Sequence, residues 1–241
     1  GLYLSRQTLA QAHGLDENRK WLLFISSFSL NNMTEAELDE LWERTQVDNR
    51  PFMRVMMRSK ETICRWLLEF ADTHPDYEVI YRAHPGERQD PMLLQQEKAH
   101  INFHVINAYS VGQWIFACDY INNWISTSVA DAVCLGKAAA LLRPEPVAHD
   151  DDSELFDGAV PLTNYRDFAA FNEGHSGAGN LDLRRFYDLP DTMATQRLVE
   201  ALEACSAKPG HTYHLKNTEG IRWLRSLLAL SLIHISEPTR P

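Results

Sequence analysis

The chain has 241 residues, 44% of them hydrophobic and 23% charged, an ordinary composition for a globular protein with room for one large domain. Its net charge of −10 argues against a general nucleic-acid binder, because such proteins normally present a basic face. The longest apolar run, Ala138 to Leu142, is too short to span a membrane, and no signal peptide precedes the first strand. We therefore expect a cytoplasmic protein with no nucleic-acid partner and no transmembrane segment.

Apolar runs alternate with amphipathic segments along most of the chain. Short apolar runs such as Trp21 to Ser26 are typical of strands buried on both faces, whereas Arg50 to Asp72 has the spacing of a helix that covers a sheet. The predicted strands are Trp21 to Ser26, Tyr77 to Tyr81, Phe103 to Ile106, Tyr120 to Ile125, Ala138 to Leu142 and Ala159 to Leu162. The predicted helices are Arg6 to His13, one that starts at a capping box of Thr34 and Glu37, Arg50 to Asp72, Ser110 to Cys118, Ser126 to Gly136, and two that start near Thr192 and Thr218. This alternation predicts a Rossmann-like, mostly parallel α/β sheet with helices on both faces.

We expect the sheet domain to cover residues 15–172 and residues 173–229 to form a loop and C-terminal helices. Residues 1–14 would be the end of a preceding linker or helix, since no methionine opens the chain. Leu230 to Arg240 reads LSLIHISEPTR, which matches the translation of a transposase adapter used in sequencing libraries. We therefore treat residues 230–241 as foreign and assign no role to His234 or Glu237.

The four cysteines indicate a reducing compartment. They lie far apart in apolar stretches and form no CxxC pair, so buried free thiols are expected at Cys64, Cys118, Cys134 and Cys205.

Polar loops that directly follow predicted strands are the candidate binding residues, because ligands of open α/β sheets bind at the carboxyl ends of the strands. After the second strand, Arg82 supplies a cationic fork suited to phosphate oxygens, and His84 supplies a ring donor. The alternative is that Arg82 pairs with a surface carboxylate and that the backbone satisfies His84.

A cluster of small hydroxyl residues follows the fourth strand. Ser126, Thr127 and Ser128 precede a helix, whose start offers free N–H groups and a positive dipole end to a diphosphate. Simple N-capping is the alternative. One turn further on, Asp131 is a candidate acceptor for ribose hydroxyls, or else only a solvent-facing acid.

Other loops at the same edge supply weaker candidates. Glu145 stands between two prolines after the fifth strand, where Arg143 adds a cation, and Ser26 and Ser27 would line the cleft after the first strand. Asp150 to Asp152 has the DxD spacing of some metal-dependent glycosyltransferases but ends no strand, so a solvated acidic loop is the preferred interpretation. We predict neither a metal site nor a cofactor.

Three segments, WLLFISSFS, YEVIYRAHPGE and WISTSVADAVCLGKAAALLRPEP, resemble the C-terminal domain of bacterial surface carbohydrate biosynthesis proteins. These are relatives of the CDP-glycerol glycerophosphotransferases and capsule glycosyltransferases, and the resemblance runs from about Leu15 to Phe171. The third segment has the family's order of strand, Ser/Thr cluster, helix with an acidic residue, Gly-Lys and strand. The resemblance implies the C-terminal half of a GT-B architecture, in which two Rossmann-like domains face each other.

The resemblance also implies roles for the candidate residues. Arg82 and His84 would meet the donor phosphates, Ser126 to Ser128 would hold the diphosphate, and Asp131 or Glu145 would meet the nucleotide. Asp131 stands where related enzymes often carry glutamate, and Ala138 where proline is usual. The catalytic base would lie in a preceding domain, so we expect this fragment to turn over little or nothing.

The leading hypothesis is thus the donor-binding half of a glycosyltransferase or glycerophosphotransferase. Its partners would be a nucleotide-activated sugar or glycerol donor and a saccharide or lipid-linked acceptor, and peripheral membrane association of the full-length protein stays open. The alternatives are a sugar-nucleotide epimerase of the same architecture and a non-catalytic nucleotide-binding module.

Overall fold

The computed structural model of the chain describes residues 3–29, 31, 33–175 and 194–206. Five parallel strands form one sheet: β1 (Lys20–Ile25), β2 (Tyr77–Arg82), β3 (Phe103–Ile106), β4 (Tyr120–Asn123) and β5 (Ala138–Leu141). The helices are α1 (Arg6–His13), α2 (Glu35–Thr45), α3 (Arg50–Thr73), α4 (Pro91–Ala99), α5 (Val111–Ala117), α6 (Val129–Cys134), α7 (Tyr165–Asn172) and α8 (Ala194–Ser206). The spatial order of the strands is β3-β2-β1-β4-β5. The predicted Rossmann-like α/β sheet is confirmed.

Alternate residues of the central strand enter opposite cores, as the two-residue period of a strand requires. Leu22 and Phe24 of β1 belong to a core with α3 and α7, while Trp21, Leu23 and Ile25 belong to a second core with α1 and α5. Helices therefore cover both faces, which explains why β1 is a continuous apolar run instead of an alternating one.

Local signals fix most helix ends. Ser5 caps α1 by accepting from the Thr8 amide, and Gly14 ends it with a φ of 69°. The expected capping box opens α2, where the Thr34 hydroxyl and the Glu37 carboxylate accept reciprocally from the backbone. The helix α4 has no counterpart among the predicted helices, although Asp90 caps it and Pro91 occupies its first position.

The predicted sixth strand, Ala159 to Leu162, was wrong. Only Leu162 reaches the sheet, in a single parallel bridge to Leu142, and its amide donates to the Leu141 carbonyl oxygen at 2.8 Å. The Leu162 carbonyl oxygen accepts from the Arg143 amide at 2.8 Å, so both backbone groups of this one residue form the bridge.

The cysteine prediction was wrong for Cys134, which is exposed on the short helix α6, and only partly right for Cys64, which is half-buried. Cys118 is buried, and these three thiols are free. The side chain of Cys205 lies outside the described residues.

The chain divides into two units, Gly1–Leu189 and Pro190–Pro241, and α8 belongs to the second. α8 begins near the start expected at Thr192, whereas the helix expected near Thr218, most of the loop over Glu173 to Asn180, and residues 230–241 lie outside the described residues. Within the described residues, no helix combines the length and the apolarity needed to cross a membrane.

A buried amide pair joins the sheet to α7. The Asn122 side chain in β4 donates to Asn172 Oδ1 at 2.8 Å, and Asn172 Nδ2 donates to the Phe168 carbonyl oxygen at 2.8 Å. The Tyr77 hydroxyl donates to the Asn172 carbonyl oxygen at 2.9 Å. Because both amides are fully buried, these bonds replace contacts with water that folding removed.

Asn172→Ala should destabilise the sheet domain by about 1–3 kcal/mol, because it leaves the buried Asn122 amide without its partner. Urea unfolding followed by tryptophan fluorescence measures the loss. The double variant with Asn122→Ala should cost less than the sum of the two single variants by about 0.5 kcal/mol or more, since both remove the same interaction. Strict additivity would contradict the pairing.

Candidate functional site

From β1 the chain adds β2 and β3 on one side and β4 and β5 on the other, so the strand order reverses between β1 and β4. Open α/β sheets bind ligands in the crevice outside the carboxyl ends of the strands at such a point, and we use the word crevice for this place. The loops after β1 and β4 are in contact, because the Ile125 amide donates to the Ser27 hydroxyl at 3.3 Å. The loop after β2 joins them through Ser26, whose hydroxyl donates to Glu87 at 2.5 Å. The structure thus brings the loops after β1, β2 and β4 together.

The buried carboxylate of Glu87 connects the loops after β1 and β2. Its side chain is only 3% exposed and pairs with the Lys60 ammonium of α3 at 3.0 Å. Its two carboxylate oxygens also accept from the Ser26 hydroxyl, the Tyr81 hydroxyl at 2.7 Å and the His84 amide at 3.2 Å. One carboxylate therefore ties α3, the end of β1 and the turn that carries His84.

The surroundings of this carboxylate set the protonation of its neighbours. Lys60 also pairs with Asp90 at 2.9 Å; although burial opposes its charge, the bonds to Asp90 and Glu87 raise its pKa overall. Burial, together with the negative charge of Glu87, raises the pKa of Tyr81, which stays a neutral donor. Burial likewise raises the pKa of the Cys64 thiol to about 12, so this thiol stays protonated at neutral pH.

Arg82 is the last residue of β2 and is only 7% exposed. Its guanidinium donates to the Ala83 carbonyl oxygen at 2.9 Å, to Asn107 Oδ1 at 2.7 Å and to the Tyr109 carbonyl oxygen at 2.6 Å. All three acceptors are neutral, and in the described part of the chain Arg82 forms no ion pair. Nε is buried without a partner, and burial lowers the pKa of the group, which as an arginine still remains cationic. The alternative interpretation expected Arg82 to pair with a surface carboxylate, and among the described residues it does not.

His84 is exposed on the loop after β2. The Gly86 amide donates to its Nδ1 at 3.0 Å, so the proton of the neutral ring lies on Nε2, which is a donor. A Cβ at residue 86 would lie 3.3 Å from Nδ1, which explains a glycine at this close approach. The backbone fixes the tautomer and leaves Nε2–H available to an acceptor.

The hydroxyl cluster lies before α6 in a hydrogen-bonded turn. The amides of Val129 and Ala130 donate to the carbonyl oxygens of Ser126 and Thr127, and the Ser128 amide donates to the Ser126 hydroxyl at 3.3 Å. Free N–H groups at a helix start were expected here, but the turn uses these three itself. A phosphate at this turn would meet hydroxyl groups, of which that of Thr127 is exposed.

The remaining predicted residues lie in different surroundings. Asp131 is exposed on α6, and Glu145 is half-buried between its prolines. Ser26 is 2% exposed and supports the loop through Glu87 instead of lining an open cleft, whereas Ser27 is half-exposed and contacts the loop after β4. Ser26 therefore connects the loop after β1 with the loop after β2, and Ser27 connects it with the loop after β4.

Arg143 is buried against two aromatic rings and is neutralised. Its Nη2 donates to Asp152 Oδ1 at 2.8 Å, and its guanidinium lies 5.3 Å from the Phe156 ring centroid and 6.0 Å from that of Trp124. Desolvation lowers its pKa. The acidic loop is thus not simply solvated as expected, because Asp152 is an internal counter-ion. Within the described residues, no group of three or more His, Cys, Asp or Glu side chains has a metal-binding arrangement.

Sequence reasoning missed Glu87 and Lys60, although one signal was present. Lys60 falls on the buried face of α3, between Met56 and Ile63 at helical spacing. A lysine at such a position requires a buried carboxylate, and that requirement predicts a partner such as Glu87. The partner's place in the chain could not be inferred, because β2 and its loop meet α3 only in the folded sheet.

No protein-family model matches the sequence, and no curated protein matches it. Among solved structures, the chain is similar to the UDP-GlcNAc 2-epimerase from Neisseria meningitidis bound to UDP-GlcNAc, at 15% identity and a TM-score of 0.44, over 83% of this chain and 48% of that one. It is similar to S. aureus MnaA with UDP, at 14% identity and a TM-score of 0.43, over 78% and 47%. A third is the wall teichoic acid polymerase TagF, at 13% identity and a TM-score of 0.41, over 83% and 44%.

The chain spans about half the length of these structures. Likeness at these identities and TM-scores assigns no activity to this chain. Its own strand order defines the class: an α/β protein with a Rossmann-like parallel sheet.

Glu87→Gln should destabilise the sheet domain by roughly 2–4 kcal/mol, because it leaves the buried Lys60 ammonium with one carboxylate instead of two. Denaturant unfolding gives the loss. Glu43→Gln, at an exposed position of α2, is the matched control and should change stability by less than about 0.5 kcal/mol. Equal effects of the two variants would contradict the role given to Glu87.

Glu37 makes the stability depend on pH. Bonds from Arg88 and from the Thr34 amide and hydroxyl lower the pKa of its carboxyl group from 4.5 to about 2. Because the folded pKa lies below the unfolded one, these bonds stabilise the fold above a pH of about 4.5 and are lost as the pH falls toward 2. The stability difference between the wild type and Glu37→Gln should therefore shrink over this range. Urea midpoints at a series of pH values measure it, and a constant difference would contradict the assignment; Glu40→Gln is the exposed control on α2.

Proposed function

We propose that this chain is the donor-binding half of a GT-B glycosyltransferase or glycerophosphotransferase that uses a nucleotide-activated donor in bacterial surface polysaccharide synthesis. The sheet would be the C-terminal domain of the two-domain architecture, and the crevice between β1 and β4 would hold the nucleotide diphosphate. The acceptor would be a saccharide or a lipid-linked acceptor.

One observation supports this proposal above the others. Arg82 buries a positive charge at the carboxyl edge of the sheet, and every acceptor it contacts among the described residues is neutral. A buried cation without a counter-ion is costly, and an anion bound at the same edge repays part of that cost. A diphosphate has the charge and size for this position.

Neighbouring groups would complete the site. His84 would donate its Nε2 proton to a phosphate oxygen, and Ser126, Thr127 and Ser128 would donate hydroxyl protons. As negative charge develops on the departing diphosphate, these fixed donors and the nearby Arg82 charge would stabilise it more than the ground state. No metal or cofactor enters this proposal.

Two acidic residues would meet the rest of the donor. Asp131 is exposed one turn into α6, where its carboxylate would accept from ribose hydroxyls, and Glu145 is a second candidate. Arg143 is less suited to bind phosphate than expected, because Asp152 already neutralises it.

A sugar-nucleotide epimerase is the second candidate, since it would need the same nucleotide site. In either case we propose that the catalytic base lies in a preceding domain and that this chain alone binds nucleotide without turnover. Product analysis of a full-length relative incubated with nucleotide-activated donors distinguishes transfer from epimerisation. Transfer by this chain alone would contradict the proposal.

A nucleoside diphosphate should raise the melting temperature of the chain, because a ligand that binds only the folded state stabilises it. At ten times the dissociation constant the gain is about 1.4 kcal/mol. A thermal-shift panel of CDP, UDP, GDP and CMP at millimolar concentration measures the effect and identifies the base. A monophosphate should give the smaller shift, because it lacks one phosphate.

His84→Ala and Thr127→Ala should reduce the ligand-induced shift while leaving the ligand-free melting temperature within a few degrees. His149→Ala, another exposed histidine outside the three loops, is the control and should keep the full shift. Absence of a shift with every nucleotide would contradict the proposal and favour a module that binds no nucleotide.

A further inference from the structure

The outer face of α3 has an unusual distribution of charge. At steps of three or four residues, it presents an exposed stripe consisting of Arg54, Arg58, Glu61, Arg65, Glu69 and Asp72, which we call the outer stripe. Cations occupy its N-terminal end and acids its C-terminal end. This order opposes the helix macrodipole, which favours acids at the N-terminus and cations at the C-terminus.

Contacts within the chain do not account for this order. Among the described residues, Asp72 pairs with His100 at 3.2 Å, and the other five members of the outer stripe form no ion pair. Arg54 and Arg58 are one helical turn apart and repel each other, as do Glu69 and Asp72. In the middle of the stripe, Glu61 and Arg65 alternate in sign with their neighbours and attract them, so the uncompensated like charges lie at the two ends.

Apolar surface runs beside the outer stripe. Met57 is 46% exposed, Cys64 and Leu68 are half-exposed, and Met92 of α4 is 70% exposed. Together with the stripe they border a groove of about 1000 Å³ between α3 and α4. An exposed apolar groove bordered by charges has the composition of a protein-interaction surface.

The charges of the outer stripe are antisymmetric about Ile63. Arg54 precedes Ile63 by nine residues and Asp72 follows it by nine. Glu61 and Arg65 lie two residues to either side. Arg58 precedes Ile63 by five residues and Glu69 follows it by six. A two-fold axis at this level would place Arg54 opposite Asp72 and Glu61 opposite Arg65, and would bring Arg58 within one residue of the position opposite Glu69.

We propose that the outer stripe of α3 is an interaction surface for a second copy of this chain, with the two α3 helices antiparallel across a two-fold axis level with Ile63. Arg54 of one copy then faces Asp72 of the other, and Arg58 faces Glu69. Each contact occurs twice, as a two-fold interface requires, and the two macrodipoles also oppose each other. Met57 and Leu68 pack beside the charge pairs. This interface does not depend on the nucleotide site.

Sedimentation velocity of the full chain tests the proposal. The wild type should form a dimer that weakens with added salt. Arg58→Glu and Glu69→Arg should each raise the dimer dissociation constant roughly tenfold or more, because each places like charges in two symmetric contacts. Arg44→Glu makes the same charge change on α2, outside the stripe, and should leave the constant within about threefold of the wild type.

Mixing the two reversed variants separates an interface from a folding defect. In the mixed dimer the new acid of one chain faces the new base of the other, and the two unchanged partners also face each other. The mixture should therefore dimerise with nearly wild-type affinity although each variant alone does not. Residues 58 and 69 are about 16 Å apart along one helix, so no contact within a chain can produce this rescue.

Three results would overturn the proposal. The first is a wild type that stays monomeric up to about 0.1 mM, which would leave the groove to another segment or to no partner. The second is a dimer unaffected by Arg58→Glu. The third is a mixture of the two reversed variants that remains monomeric.

Discussion

The Lys60 ammonium lies on the buried face of α3 between the carboxylates of Glu87 and Asp90. A buried ammonium group is costly without such partners, so these ion pairs hold α3 and the loop after β2 in one relative position. The same Glu87 carboxylate accepts from Ser26 and Tyr81, which extends the constraint to the end of β1. The positions of the loops after β1 and β2 therefore depend on the buried ion pair between Lys60 and Glu87.

Arg82 and Arg143 are two buried arginines at the carboxyl edge of the sheet, and they differ in what compensates their charge. Arg143 has an internal counter-ion in Asp152, while Arg82, in the part of the chain that the structure describes, donates only to neutral oxygens. An anion would therefore be attracted to the β2 side of the edge, where His84 also supplies a donor. The difference between the two arginines therefore favours the β2 side for the proposed phosphate site, whereas the fold alone would allow any part of this edge of the sheet.

The helix α3 has two unrelated roles on its two sides. Its inner face packs Ile63 and Leu67 on the sheet and supplies Lys60 to the loop network. Its outer face presents the antisymmetric charges that we assign to a second copy. Substitutions on the outer stripe can therefore be tested for association without disturbing the crevice.

The sequence by itself determined the five strands, most helices and the α/β class, because hydrophobic periodicity and caps are local properties of the chain. It also located the polar loops, since residues that follow parallel strands share one edge of the sheet. Only the tertiary structure decided which polar side chains contact each other: Glu87 with Lys60, Arg82 with Asn107, and Asn122 with Asn172. Each of these pairs joins segments 25 or more residues apart. Periodicity and caps describe only neighbouring residues, so only the packing of the sheet and its helices could bring these partners together.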